Sequence, residues 1–177
     1  MKNRYYYVEL IARSAIIPNM DLLAVTGYLN MKNGERQSGG KSSGLIGQRA
    51  PKNSDRNRQN DLLLVHITLF PAVSESYDTL AEDLAEAFTT FFYRTGGTIN
   101  TALRQATRHI NGLLLKWNMT NSGTPREAAI TSMVFKNDEL FIVQSGPSLA
   151  LLGRNFGVER IPANEPDRIT PLGQGVN

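Results

Sequence analysis

A glycine- and serine-rich segment near residue 40 is the first part of the sequence that could hold a phosphate group. Residues 34–42 read Gly-Glu-Arg-Gln-Ser-Gly-Gly-Lys-Ser, and a phosphate-binding P-loop needs four residues between its first glycine and its Gly-Lys-Ser. Glu35 stands where that glycine is required, and Gly34 lies one residue too far back. A P-loop also leads directly into a helix, whereas residues 43–47 read Ser-Gly-Leu-Ile-Gly. The segment does not predict a nucleotide site.

Other residue types that could do chemistry are scarce. The chain has no cysteine and only His66 and His109, which excludes disulfides, zinc–thiolate sites, cysteine nucleophiles and multi-histidine metal sites. Neither histidine has a sequence neighbour that would complete a metal pair. Residues 145–148, Ser-Gly-Pro-Ser, offer hydroxyls. A nucleophilic serine needs an oriented base, and the segment is better interpreted as a turn.

Positive charge is concentrated in one segment. The 177-residue chain carries 19 Lys and Arg against 16 Asp and Glu, for a formal net charge of +3. Between residues 32 and 58, only Glu35 and Asp55 oppose the basic residues Lys32, Arg36, Lys41, Arg49, Lys52, Arg56 and Arg58. Such a segment can bind nucleic acid, but it contains no aromatic residue that would stack on bases. We interpret residues 30–60 as a long, basic, flexible loop.

Most of the remaining chain has the patterning of strands. The segment Asp61–Phe70 is a nearly continuous apolar run, which is typical of a buried central strand. A turn at residues 136–138 predicts a hairpin between the apolar segments on either side of it. Further predicted strands cover residues 5–12, 21–29, 149–152 and 158–161, and residues 162–177 are predicted to form a C-terminal tail.

Two successive helices are predicted between these strands. The first begins near Tyr77, is capped by Ser76 and ends at Gly96-Gly97. The second is capped by Thr98, and its apolar stripe consists of Ile99, Leu103, Ala106, Ile110, Leu113 and Trp117. Because the strands and helices are segregated along the chain, the pattern predicts an α+β fold. Two antiparallel helices are expected on one face of a sheet, with a second sheet on the other face.

Several segments occur in an order that is shared with a known family. Ala102–Leu114 contains Ala-x-x-x-Ala-x-x-x-x-Asn, and residues 123–143 form the predicted strand pair. Gln144–Leu152 is similar to a motif Asn-x-Gly-Asp-Ser-Arg-x-Tyr-Leu, and Gly47–Asp55 is similar to a loop with Arg-x-x-Asn-Glu-Asp. Over roughly residues 5–173, the chain resembles the metal-dependent type 2C protein serine/threonine phosphatases, including the bacterial sporulation stage II E-like branch.

The resemblance implies a site in which carboxylates hold two Mg²⁺ or Mn²⁺ ions, which activate water for attack on phosphorus. The sequence departs from the family at the residues of that site. The family's bridging aspartate falls at Ile67 or Thr68, and Pro147 stands where the Gly-Asp-Ser motif has its aspartate. Asp55 and Asp61 are the only candidate metal ligands that remain in the matching segments. A single carboxylate binds Mg²⁺ weakly.

We therefore expect one domain over residues 1–177 that is a phosphatase-like β-sandwich flanked by two antiparallel helices. It would be catalytically inactive, without a cofactor, and would bind or regulate a protein partner that the sequence does not identify. Thr68, Phe70 and Pro147 would line the site in place of carboxylates. Because the family's remaining metal-binding acids lie further along the chain, we expect the domain to be incomplete at its C-terminus.

Two alternatives remain open at this point. The first is an active phosphatase with an atypical site, which would use Asp55, Asp61 and acids from a missing C-terminal part to hold Mg²⁺ or Mn²⁺. The second is a module that associates with nucleic acid through residues 32–58, where Arg49, Arg56 and Arg58 could contact anions. The sequence contains no apolar run near the roughly 20 residues of a membrane span. A signalling role in the cytoplasm, without membrane insertion, is the expected setting.

Overall fold

The computed structural model describes residues 6–13, 25–32, 35–36, 44–71, 79–137, 139–161 and 170–174, the first three ranges as backbone strands. Its two helices are α1 (Leu80–Arg94) and α2 (Ile99–Thr120). Its strands are β1 (Tyr6–Arg13), β2 (Val25–Lys32), β3 (Glu35–Arg36), β4 (Leu45–Arg49), β5 (Leu62–Phe70), β6 (Glu127–Lys136), β7 (Glu139–Ser145), β8 (Ala150–Arg154) and β9 (Gly157–Ile161). This composition confirms the predicted α+β class.

The central sheet has four antiparallel strands in the order β4-β5-β6-β7. The predicted central strand is confirmed, because β5 has a paired neighbour on each side. Alternate residues Leu63, Val65 and Ile67 are buried and belong to the cluster that packs against the helices, as the two-residue period of a strand requires. The predicted hairpin is confirmed as β6 and β7, and Asn137 in its turn has a positive φ of 53°, which asparagine tolerates.

The two helices form a hairpin on one face of this sheet. Residues 95–98 connect them, and the Thr98 side chain accepts a hydrogen bond from the Thr101 amide at 3.2 Å, which confirms the predicted N-cap. The predicted apolar stripe of α2 is wrong near its end. Leu114 is fully buried and Leu113 is 37% exposed, because a period of 3.6 residues continues from Ile110 to 114. The predicted start of α1 at residues 76–77 lies outside the described residues.

The flexible loop expected over residues 30–60 is wrong in part. Leu45–Arg49 forms strand β4, because its apolar start pairs with β5, and Arg56–Arg58 forms a short 3₁₀ turn. Glu35–Arg36 pairs with β2. The isolated apolar pair Leu45-Ile46 was the sequence signal of β4.

The predicted C-terminal tail also contains an ordered contact. Leu172 is buried and forms a β-bridge with Ala128, with hydrogen bonds of 2.8 and 3.0 Å in the two directions. Asn111 of α2 accepts a hydrogen bond from the Gly173 amide at 2.8 Å. Residues 170–174 therefore add to the edge of the core. The other predicted strands are confirmed as two antiparallel pairs, β1 with β2 and β8 with β9.

Candidate functional site

The segment between β4 and β5 is held by a buried arginine. Arg58 is 0% exposed, and its Nη2 donates hydrogen bonds of 2.8 Å to the carbonyl oxygens of both Gly97 and Thr98. Its guanidinium carbon lies 5.2 Å from the centre of the Phe92 ring, a cation–π distance. Arg58 thus ties this segment to the connection between α1 and α2.

Asp61 is the anionic partner of Arg58 in the same cluster. Its Oδ2 lies 3.5 Å from Arg58 Nη1, and its Oδ1 lies 3.7 Å from Nζ of Lys136. Asp61 is 1% exposed. Burial raises the pKa of Asp61 above its usual range, although the charges of Lys136 and Arg58 oppose this shift. The loss of hydration therefore outweighs the attraction of the two cations.

Asp55 has a different structural role. Its Oδ1 accepts a hydrogen bond of 2.9 Å from the Asn57 amide, which caps the 3₁₀ turn. Its own amide donates to the Tyr93 carbonyl at 2.8 Å. Asp55 and Asp61 are thus both engaged in local structure. Within the ranges that the structure describes, no group of three or more Asp, Glu, His or Cys residues could hold a metal ion.

The positions that the resemblance assigns to the metal site lie near one end of the sheet. Ile67 is fully buried and packs in the core between sheet and helices. Thr68 faces the opposite side, pairs with Ala129 and is half-buried. Pro147 is exposed in the turn after β7. Neither the described end of β5 nor this turn offers a carboxylate in place of the family's aspartates.

The turn after β7 packs closely against β6. Gly146 has a φ of +74°, and a Cβ atom there would lie 3.0 Å from the Ala128 oxygen and from the Ala129 Cα. The Gly146 amide and the Ser145 hydroxyl both donate to the Thr170 carbonyl, at 3.0 and 2.9 Å. The Ser145 hydroxyl is thus engaged with the backbone, which fits the interpretation of this segment as a turn.

The three arginines predicted as anion contacts lie in different environments. Arg49 and Arg56 are exposed, at the end of β4 and in the 3₁₀ turn. Arg58 is buried and bound to two carbonyl oxygens. A phosphate outside the protein could therefore reach Arg49 and Arg56 more readily than Arg58.

Sequence reasoning missed the role of Tyr93 in this region. Its hydroxyl accepts a hydrogen bond from the Leu63 amide at 3.2 Å and donates one to the Gln48 carbonyl at 2.6 Å. It therefore links β4 and β5 from α1. Tyr93 is 1% exposed, and burial strongly raises its pKa. The only sequence signal was its place beside the apolar stripe of α1.

A second missed feature is an open groove of about 660 Å³ between β4 and α1. One wall contains Ile46, Gly47 and Gln48, and the other wall is formed by α1 residues Glu82, Glu86, Thr89, Thr90, Tyr93 and Arg94. These helical residues recur at steps of three and four, so they form one side of α1. The groove combines an apolar side chain, a strand edge and charged groups of both signs.

Comparisons with known proteins add no further constraint on this site. No protein-family model matches the chain, and no curated protein matches it. Among the helices of the described ranges, none has the length and apolar character needed to cross a bilayer.

Proposed function

We propose that the chain is a catalytically inactive domain of the type 2C phosphatase kind, which acts through binding or regulation. One observation carries the proposal: the two carboxylates that could remain from a metal site are both engaged in structural contacts. Asp55 caps a 3₁₀ turn, and Asp61 is buried between Arg58 and Lys136. The order of strands, helical hairpin and β6–β7 hairpin supports the family resemblance.

The residues present do not fit a pair of Mg²⁺ or Mn²⁺ ions. Such ions take oxygen ligands and need several compensating negative charges. Asp61 already faces two cations, and at the end of β5 the side chains are Thr68 and the apolar Leu69 and Phe70. A water-activating metal centre therefore lacks the negative charge that its chemistry requires.

The active-phosphatase and nucleic-acid alternatives have less support from the geometry. An active site would need Asp61 to leave an enclosed ion pair. A nucleic-acid interface would lose Arg58, whose guanidinium binds carbonyl oxygens inside the protein. Within the described part of this segment, the exposed basic residues are Arg49, Lys52 and Arg56, which form a small positive surface. A binding domain for a protein partner remains the simplest function.

Measuring Mn²⁺ binding and phosphatase activity tests this proposal. We expect no Mn²⁺-dependent release of phosphate from p-nitrophenyl phosphate or phosphoserine peptides, and no rise in melting temperature with Mn²⁺. A ligand at a hundred times its Kd would stabilise the fold by about 2.7 kcal/mol, which is readily measured. Asp55→Asn removes a candidate metal-binding carboxylate and should leave the fold intact, because asparagine caps a helical turn about as well as aspartate. Mn²⁺-dependent turnover that this variant abolishes without loss of folding would overturn the proposal.

A further inference from the structure

The outer edge of β4 presents backbone groups that no described strand pairs with. The Ile67 amide bonds to the Gly44 carbonyl, and the Ala50 amide bonds to the Asp61 carbonyl. Since hydrogen-bonded pairs alternate along an antiparallel ladder, Ile46 and Gln48 must also bond toward β5. The N–H and C=O groups of Leu45, Gly47 and Arg49 therefore point away from the sheet. Gly47 and Arg49 are exposed to solvent.

Apart from its short length and its buried first residue Leu45, β4 has few of the devices that usually protect an unpaired strand. Proteins commonly place charges, prolines or bulges along such edges to prevent pairing with another chain. β4 reads Leu-Ile-Gly-Gln-Arg, and its only charge is at its last residue. It is a short strand that can accept a further strand.

The helix beside this edge has a charge distribution that suits a second copy of the same chain. The side of α1 that borders the groove contains Glu86, Thr90 and Arg94 at successive four-residue steps, all exposed. Glu86 and Arg94 are thus equally far from Thr90 along the helix. A two-fold axis near Thr90 would place Glu86 of each copy opposite Arg94 of the other.

β4 and α1 run alongside each other, so a single two-fold axis can relate both elements to their counterparts in a second copy. Near the start of β4, a Cβ atom at Gly44 would lie 3.1 Å from the Cβ atom of Ala81. Near its end, the Gln48 carbonyl accepts the hydrogen bond of Tyr93. α1 therefore runs along β4, and its Thr90 region comes about level with Gly47.

We propose that two copies of this chain pair antiparallel through β4, with the two-fold axis at Gly47, to form one continuous eight-stranded sheet. Gly47 then pairs with Gly47 of the second copy, and Leu45 pairs with Arg49. Ile46 and Gln48 of both copies fill the joined grooves, and Glu86–Arg94 contacts form on both sides of the axis. An isologous contact of this kind closes at the dimer. The inference stands apart from the proposed function, because it does not depend on the absence of catalysis.

Sedimentation analysis of charge-reversal variants tests the dimer. We expect a dimer whose Kd rises about tenfold in Glu86→Arg and in Arg94→Glu, since each reversal turns two symmetry-related attractions into repulsions. The double variant, Glu86→Arg with Arg94→Glu, restores the attraction and should recover the original Kd. Arg104→Glu is the matched control, because Arg104 is an exposed arginine on α2, outside the groove.

Amide hydrogen exchange gives a second measurement that needs no variant. Raising the protein concentration should slow exchange at Leu45, Gly47 and Arg49, whereas Ile46 and Gln48 are already bonded to β5 at every concentration. A chain that stays monomeric at high micromolar concentration would overturn the proposal. A dimer whose Kd is unchanged by both charge reversals would also overturn it, because that result is expected if the two copies pair through β7. A monomer whose groove binds only extended basic peptides would overturn it as well. None of these outcomes bears on the phosphatase assay.

Discussion

Arg58 and Asp61 form a buried ion pair, and we expect replacement of Arg58 to destabilise the fold far more than replacement of Asp61. Arg58→Met removes two hydrogen bonds to carbonyl oxygens and leaves the Gly97 oxygen without its donor. It also leaves the buried Asp61 carboxylate with Lys136, 3.7 Å away, as its remaining cation. Breaking a buried ion pair from one side typically costs about 3–5 kcal/mol. For a chain of this length, each kcal/mol lowers the melting temperature by about 2–4 °C. We therefore expect Arg58→Met to melt about 6–20 °C below the parent protein.

Asp61→Asn should have a much smaller effect. Burial raises the pKa of Asp61, so the folded state binds its proton more tightly than the unfolded chain does. Its contribution to stability is therefore largest below pH 3.8 and falls as the pH rises through the raised folded value. Above that folded value the ionised carboxylate lowers the stability, and a neutral amide of the same size removes that penalty. We expect a loss below about 1 kcal/mol, because the asparagine keeps an oxygen for Arg58.

Urea denaturation of both single variants and the double variant measures this difference. In the double variant, Arg58→Met no longer leaves a buried carboxylate without its arginine partner. The losses of unfolding free energy in the two single variants should therefore not add, and we expect a coupling energy of about 0.5–3 kcal/mol. Circular dichroism of the native state checks that each variant folds. If Asp61→Asn destabilises the protein as much as Arg58→Met, the attraction between the charges outweighs desolvation, and the reasoning is refuted.

Two further predictions concern single side chains, Tyr93 and His66. Tyr93→Phe removes the hydroxyl between the Leu63 amide and the Gln48 carbonyl and should cost about 1–3 kcal/mol in urea denaturation; a loss under about 0.5 kcal/mol would contradict its linking role. Burial lowers the pKa of His66 below 6.5, so its contribution to stability is present above pH 6.5 and is lost as the pH falls through the folded value. When the pH is lowered from 7.5 to 5, the melting temperature of His66→Gln should therefore fall less than that of the parent protein. Equal decreases would refute the lowered pKa of His66.

Local patterns were sufficient to predict most of the regular elements. The apolar run of β5, the cap at Thr98 and the turn between β6 and β7 are signals that a few adjacent residues carry. β4 was missed because its apolar part is only two residues long, and it becomes a strand by pairing with β5. Tertiary pairing decided the structure there, and the sequence around it favoured a loop.

The candidate site was harder to predict because it depends on contacts between distant residues. Arg58 bonds to Gly97 and Thr98, and Lys136 reaches Asp61 from the β6–β7 hairpin. No spacing rule connects these positions. The sequence could identify Asp55 and Asp61 as candidate metal ligands, but only the fold shows that one caps a turn and the other is buried between two cations.

The bridge between Ala128 and Leu172 has a consequence for how the protein folds. The two residues are far apart in the sequence, so the loop between them must close before the bridge can form, and that closure lowers the chain entropy. Non-local contacts of this kind slow folding. During synthesis, Ala128 leaves the ribosome well before Leu172. Until Leu172 follows, the edge of β6 at Ala128 has no partner for this bridge. Leu172 belongs to the same apolar core as Leu114 and Ala128, so this part of the core is sealed from water only after the last described segment of the chain has packed against it.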